Sequence, residues 1–295
     1  MDFNKLNSVF VVAELSANHN GSFDTAIETI KAAKRAGADA IKLQTYTADT
    51  ITLDSKTDDF LLKQGTIWEG KYLHDLYKEA YTPWEWHKEL FEVAKEEGLI
   101  CFSSPFDLTA VDFLESLKNP IYKIASFEIS DIPLIKYVAS KGKPIIISTG
   151  IASKEDIELA IATCKNEGNN QIALLKCTSS YPAPISEANL TMIKDFANKF
   201  NVIPGLSDHT LGLTAPIVAV TQGAKIIEKH FILDKSIGGP DASFSLDQKE
   251  FTQMVKAVRE AELAIGKVDY KLTLKQLEGK NYCRSLYVSK DVNKD

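Results

Sequence analysis

From Val9 onward, short β-branched runs alternate with longer amphipathic stretches, and this alternation leaves few folds open. Each pair reads as a strand followed by a helix, because the apolar spacing switches from a period of two to a period near 3.6. The expected strands cover residues 10–16, 40–45, 99–104, 121–126, 144–148, 172–178, 202–207 and 225–231. The expected helices cover 24–36, 83–97, 110–117, 133–140, 154–165, 190–200, 215–222 and 248–265. Glycines stand where helices should stop, at Gly37, Gly98, Gly142 and Gly168. Eight such units in 295 residues predict an α/β chain closed into a (β/α)8 TIM barrel. No GxGxxG turn follows the first strand, which argues against an open doubly wound sheet.

One connection, 47–82, is far longer than the rest, and an insertion after a barrel strand usually shapes the active-site mouth. The barrel domain is expected to span 1–266. Residues 267–295 read as a polar linker with one strand-like piece at 284–289.

Lys and Arg total 34 against 40 Asp and Glu, so the net charge of −6 excludes a nucleic-acid footprint and a polybasic membrane patch. An anionic substrate must then be held by a few local cations. No run approaches the roughly 18 apolar residues of a membrane span. Cys101, Cys164, Cys177 and Cys283 form no CxxC pair, and the chain opens on polar MDFNKLN, so the expected setting is the cytoplasm.

In a barrel the C-terminal strand ends form the active-site rim, and alternate residues point inward. By that parity Glu14 and Ser16 share a face, as do Lys42 and Gln44, and Lys123 is followed by Ser126 and Glu128. Charges inside strands are costly unless paired. Two readings stay open: a core network joining the lysines to Glu14, Glu128 or Glu228, or an anion cradle completed by Ser103, Ser104, Ser126, Ser148, Thr149, Thr178 to Ser180 and Ser207. GLSDHT places Ser207 and His209 on one face, and IIEKHF does the same for Glu228 and His230. Adjacent strands thus offer two imidazoles, a candidate divalent metal site with coordination positions to spare. Asp241, in GGPDASFS, either reaches back to the mouth or serves a turn. His74 and His87 are expected at the surface, Trp84 and Trp86 as pins of the long connection, and Trp68 as either a pin or a wall of the site.

The runs AELSANHNG, AIKLQTY, FSSPFD, YKIASFE, ISTG, KCTSSYP, GLSDHT, EKHF and GGPD resemble, in order and spacing, the sialic acid synthase family. The AELSANHNG start and the TIWEG…LYKEAYTPWEW connection resemble the branch that uses 2,4-diacetamido-2,4,6-trideoxy-L-altrose. The resemblance implies condensation of phosphoenolpyruvate with that amino sugar and release of phosphate. It puts Mn2+ or Mg2+ on His209 and His230. It gives phosphoenolpyruvate to Lys42, Lys123, Ser126, Ser148 and Ser207, with Ser179 nearby, and turns Gln44, Ser104, Tyr181 and Asp241 to the sugar. Glu14 is the leading candidate for proton handling, and Glu228 is expected among the substrate-binding residues. Ser179 stands where relatives that make sialic acid have Asn. The family also implies a homodimer and a further small antifreeze-like domain, of which 267–295 would be the lead-in. Alternatives are an N-acetylneuraminate or legionaminate synthase acting on another amino sugar, and a non-catalytic sugar-binding barrel.

Overall fold

A computed structural model of the chain describes residues 3–63 and 65–294; Met1 and Asp2 of the polar start lie outside them. Eight parallel strands close on themselves in sequence order, each hydrogen-bonded to the next and the last to the first. They are β1 (Phe10–Glu14), β2 (Ala40–Thr45), β3 (Ile100–Pro105), β4 (Tyr122–Ile124), β5 (Ile145–Ser148), β6 (Ile172–Cys177), β7 (Ile203–Asp208) and β8 (Ile226–His230). The expected (β/α)8 barrel is therefore the fold, with strand ends shifted by a residue or two.

The outer ring comprises α1 (Phe23–Arg35), α2 (Ala48–Ile51), α3 (Leu73–Ala80), α4 (Trp84–Glu96), α5 (Leu108–Ser116), α6 (Ile132–Ala139), α7 (Lys154–Asn166), α8 (Met192–Phe200), α9 (Thr214–Thr221) and α10 (Gln248–Ile265). Local chemistry sets their starts. The Ser22 hydroxyl caps α1 through Thr25 N–H, the Asp107 carboxylate caps α5, and Ser153 with Asp156 forms a capping box on α7. The long connection holds α2 and α3, and Leu61 bridges antiparallel to Tyr72 between them.

Along each strand the side chains alternate between two environments. Outward residues such as Val11, Ile41, Ile124, Ile147, Leu174 and Ile227 pack against the helices. Inward residues at the N-terminal end form a small apolar plug of Phe10, Val12, Ala40, Phe102, Ile146, Ala173, Leu175 and Ile226, closed from below by Phe3. The inward positions one step further along the strands are polar, and there the candidate site begins.

The first compact unit is Met1–Ala264, and Ile265–Asp295 forms a second. The second unit contains α11 (Leu274–Gly279) and a 3-10 turn, Lys280–Tyr282. The expected strand-like piece at 284–289 is no strand: its residues are exposed and pair with no sheet edge. Strand propensity without a partner edge does not make a strand. Among the described residues, no helix is long and apolar enough to cross a membrane.

Candidate active site

Parallel register delivers the inward polar residues to one level. Glu14 lies opposite Lys42 on one side and His230 on the other, Gln44 opposite Ser104, and Ser207 opposite Glu228. All are buried or nearly so. Lys42 forms an ion pair with Glu14 Oε2 and lies 3.3 Å from Ser104 Oγ. Lys123 reaches across the barrel to Glu228 Oε1 at 2.8 Å, and Ser207 Oγ donates to the same oxygen at 3.0 Å. Both lysines therefore do pair with strand carboxylates, as the core-network reading required, and Glu128 is left out of the pairing.

The pairing does not exhaust the site's hydrogen-bonding capacity. Glu228 Oε2, Glu128 Oε2 and Ser148 Oγ are buried with no protein partner. Such groups cost about 1–3 kcal/mol each when left unmet, so their retention points to a ligand. A further opening lies between β5 and β6. Ser126 Oγ accepts the Gly150 N–H at 3.1 Å, and a Cβ on Gly150 would stand 2.7 Å from that oxygen and 2.0 Å from Ser179 Oγ. Only glycine permits this close approach of hydroxyls and backbone, the form of an anion cradle. Ser126 and Ser179 thus meet at Gly150, two residues beyond Ser148 at the end of β5. Gly150 itself was legible only as part of the ISTG run.

The carboxylates differ sharply. Burial raises Glu14 to about 7, with Lys42 opposing and Glu228 adding to the rise. Burial also works against ionisation of Glu228, but Lys123 and Lys42 outweigh it and hold that carboxyl at about 2. Burial raises Glu128 to about 7, and Lys123 and Lys42 only partly counter it. Two carboxyls poised near neutrality beside one fixed anion are a usual arrangement for proton transfer. Sequence parity found Glu14, whereas Glu128 was weighed only as a partner for a lysine.

The rings of His209 and His230 stand 5.3 Å apart. His209 Nδ1 faces the Thr178 carbonyl at 3.0 Å, so a proton on Nδ1 leaves the Nε2 lone pair free. His230 Nδ1 is buried without a hydrogen bond, 3.6 Å from Asp241 Oδ2. Burial, reinforced by His209, Lys42 and Lys123, holds His230 well below its usual pKa and hence neutral. For His209, burial is outweighed by Cys177 and the Thr178 carbonyl, and the pKa rises. Two imidazoles with available nitrogens suit a borderline divalent cation. Among the described residues no group of three or more His, Cys, Asp or Glu forms a closed cage, so such an ion would keep open positions.

Gln44 Nε2 donates to Glu14 Oε1 at 2.9 Å and Ser16 Oγ at 3.0 Å. Ser16, just beyond β1, adopts a positive φ of 47°, so it keeps the company expected of it by a backbone turn and not by strand parity. Asp241 is buried and accepts from Ala17 N–H at 3.4 Å, which resolves its two readings in favour of the mouth. Tyr181 packs 4.4 Å from the His209 ring and 5.1 Å from Phe244.

Two expectations fail. His87 is fully buried, with Nε2 at 2.9 Å from Thr45 Oγ1 and Nδ1 at 3.1 Å from the Pro83 carbonyl, and burial pushes it down to about 4. It is a neutral structural histidine on the inner face of α4. His74 is buried as well and contacts Asp49 at 2.8 Å, joining α3 to α2. Trp84 and Trp86 behave as pins: Trp84 donates to the Tyr46 carbonyl at 3.1 Å and stacks on Phe113, and Trp86 lies 5.4 Å from Phe23.

The chain is similar to known proteins in sequence and in fold. Residues 29–270 match the NeuB family model. The chain is 50% identical over 293 residues to a pseudaminic acid synthase of Campylobacter jejuni, covering 99% of this chain and 85% of that protein. It is 49% identical to the Helicobacter pylori pseudaminic acid synthase over 96% of this chain and 84% of that protein. Among solved structures, an N-acetylneuraminic acid synthetase from Leptospira borgpetersenii superposes with a TM-score of 0.82 at 30% identity, covering 94% of this chain and 91% of the other. With the family model matched over residues 29–270 and half of all positions identical to such a synthase over nearly the whole chain, the chain belongs to the NeuB family.

Proposed function

We propose that this chain condenses phosphoenolpyruvate with the open-chain form of 2,4-diacetamido-2,4,6-trideoxy-L-altrose and water, giving pseudaminate and phosphate by C–O cleavage. The observation that carries the reading is the meeting of two lysines, a glycine-opened hydroxyl cradle and two adjacent imidazoles at one level of the barrel mouth. It is supported by the half-identical relatives that bear the name pseudaminic acid synthase.

Lys42 and Lys123 hold the carboxylate and phosphate oxygens, with Ser126, Ser148, Ser179 and Ser207 as hydrogen-bonding partners. Glu228 stays ionised and fixes the Lys123 ammonium. C3 of phosphoenolpyruvate attacks the aldehyde carbon, and water adds at C2 before phosphate departs. Glu14, tied to Lys42 and poised near 7, accepts the proton of that water. Glu128, equally poised and with its Oε2 free of any protein partner, donates to the new alkoxide. Gln44, Ser104, Tyr181 and Asp241 orient the sugar. His209 and His230 would hold Mn2+ or Mg2+. Such an ion supplies Lewis-acid polarisation of a carbonyl when bound. The proposed setting is the cytoplasm, in keeping with four free cysteines, and the proposed assembly is a homodimer, which sedimentation measures.

The test is phosphate release from phosphoenolpyruvate across a sugar panel. Release with the diacetamido altrose supports the reading. A preference for N-acetylmannosamine or a gluco-configured diacetamido sugar replaces it with a neuraminate- or legionaminate-type synthase. Calorimetric sugar binding with no release from any sugar leaves a binding barrel.

A further inference from the structure

The long connection between β2 and α4 delivers one aromatic residue that the proposed chemistry does not use. Around it the backbone folds into a tight hairpin: Leu62 N–H donates to the Lys71 carbonyl at 2.9 Å, Gly70 N–H to Leu62 at 2.9 Å, and Lys71 N–H to Trp68 at 3.1 Å. This hairpin presents Trp68 to the far side of the mouth. Its indole N–H donates to the Pro240 carbonyl at 2.9 Å, in the loop after β8. Its ring lies 5.5 Å from Tyr181, which itself packs against His209 and Phe244. Trp68 is half-buried there, its indole polar atom satisfied and its apolar ring at the edge of the mouth, one ring away from the imidazole pair.

That position has a chemical consequence. The loop after β2 and the loop after β8 are tied together beside the Tyr181 ring by the Trp68–Pro240 hydrogen bond. With Tyr181 and Phe244 the wall they form is aromatic, beside the charged and hydroxyl-bearing residues of the site. A sugar with a methyl group in place of the C6 hydroxyl, and with two acetamido methyls, exposes more apolar surface than an ordinary amino sugar. An aromatic wall rewards that surface and leaves an added hydroxyl without a partner.

We propose that Trp68 is a specificity-determining residue, whose indole closes over Tyr181 and takes the methyl-bearing end of the sugar. The proposal rests on the reading given above as to substrate class. It adds that discrimination against more hydroxylated amino sugars comes from this loop and not from the barrel strands.

Steady-state kinetics of phosphate release decide the matter, with the diacetamido altrose and N-acetylmannosamine as sugars and with wild-type, Trp68→Phe and Trp68→Ala chains. The Ala variant is expected to raise KM for the diacetamido sugar by about 10–200-fold, the worth of an apolar contact of this size. The ratio of kcat/KM between the two sugars should collapse accordingly, while KM for phosphoenolpyruvate stays unchanged and Trp68→Phe recovers most of the ratio. An unchanged ratio, or KM values for both substrates rising together, overturns the proposal. Should the Ala variant not fold, sugar-induced change in indole fluorescence, compared between wild type and Trp68→Phe, decides instead: equal changes overturn the proposal, and a change confined to the wild type supports it. If wild type releases no phosphate with the diacetamido sugar, the substrate reading and this inference fall together. If it does release phosphate but the variants keep its selectivity, only the inference falls.

Discussion

The two ends of the barrel interior are built from the same eight strands and obey opposite rules. At the N-terminal end the inward residues, among them Phe10, Val12, Phe102, Ile146 and Leu175, are apolar and leave no polar atom to satisfy. One inward step further stand Glu14, Lys42, Lys123, Ser148, Ser207 and Glu228, buried just as deeply. The lower layer earns its place through area removed from water, roughly 25 cal/mol per Å2. The upper layer gains little from burial, because pairing buried charges about breaks even with desolvation. A ring of lysines and carboxylates with orphaned oxygens is therefore explained by what it binds, and the plug beneath it by what it stabilises.

The largest expected effect tests the lower end. Phe102→Ala should cost about 3–5 kcal/mol in chemical denaturation while the folded fraction keeps its KM values. A KM change at permissive temperature would show that the two layers are not separable. Next come the imidazoles: His209→Ala or His230→Ala should lower kcat for phosphate release by about 10²–10³-fold, or roughly 2.7–4 kcal/mol of transition-state stabilisation, with a small change in thermal midpoint. Full turnover would remove these residues from the chemistry.

A third experiment uses charges that look alike in sequence but face the other way. Lys229 pairs with Asp208 and also donates to the Thr210 carbonyl, in the layer between strands and helices. Both side chains are buried. Replacing the pair together, Lys229→Met with Asp208→Leu, should cost about 1–3 kcal/mol, because the Thr210 N–H and carbonyl lose their buried partners, and should leave KM values unchanged. A loss of sugar affinity on that replacement would blur the line between structural and functional charge.

The smallest effect is a slope. Burial raises Glu128 from 4.5 to about 7, so the folded chain holds the proton more tightly than the unfolded one. The stabilising contribution of its neutral form is complete below about 4.5 and disappears as pH rises through about 7. Glu128→Gln should flatten the fall of unfolding free energy across that window. An identical pH profile would mean that Glu128 is not held neutral by its surroundings.

Much of this was legible along the chain because strand parity is a local rule. Once Lys42 is placed in β2 and Glu228 in β8, a period of two sends both inward without knowledge of any neighbour. The same rule marked His230, and Gly37, Gly98, Gly142 and Gly168 marked where four helices stop ahead of the next strand. It could not choose partners. Glu14, Glu128 and Glu228 were equal candidates for the lysines. Adjacent register gave Glu14 to Lys42, and the bore of the barrel let Lys123 reach Glu228, 105 residues away. His87 was misjudged for a related reason. Its partner Thr45 and its aromatic neighbour Phe113 come from other elements, so its environment exists only after the barrel closes. The piece at 284–289 erred in the opposite direction, since alternation alone supplies no sheet edge.

Pattern period and the spacing of Gly, His and Lys thus determined the barrel, the level of its site and the residue types available there. Closure of the sheet decided which carboxylate stays ionised, which stands near neutrality, and that Trp68 meets Tyr181 across the mouth. The physical reason is range: periodicity acts within a few residues, whereas burial and Coulomb interactions depend on distances in space that the chain order does not record.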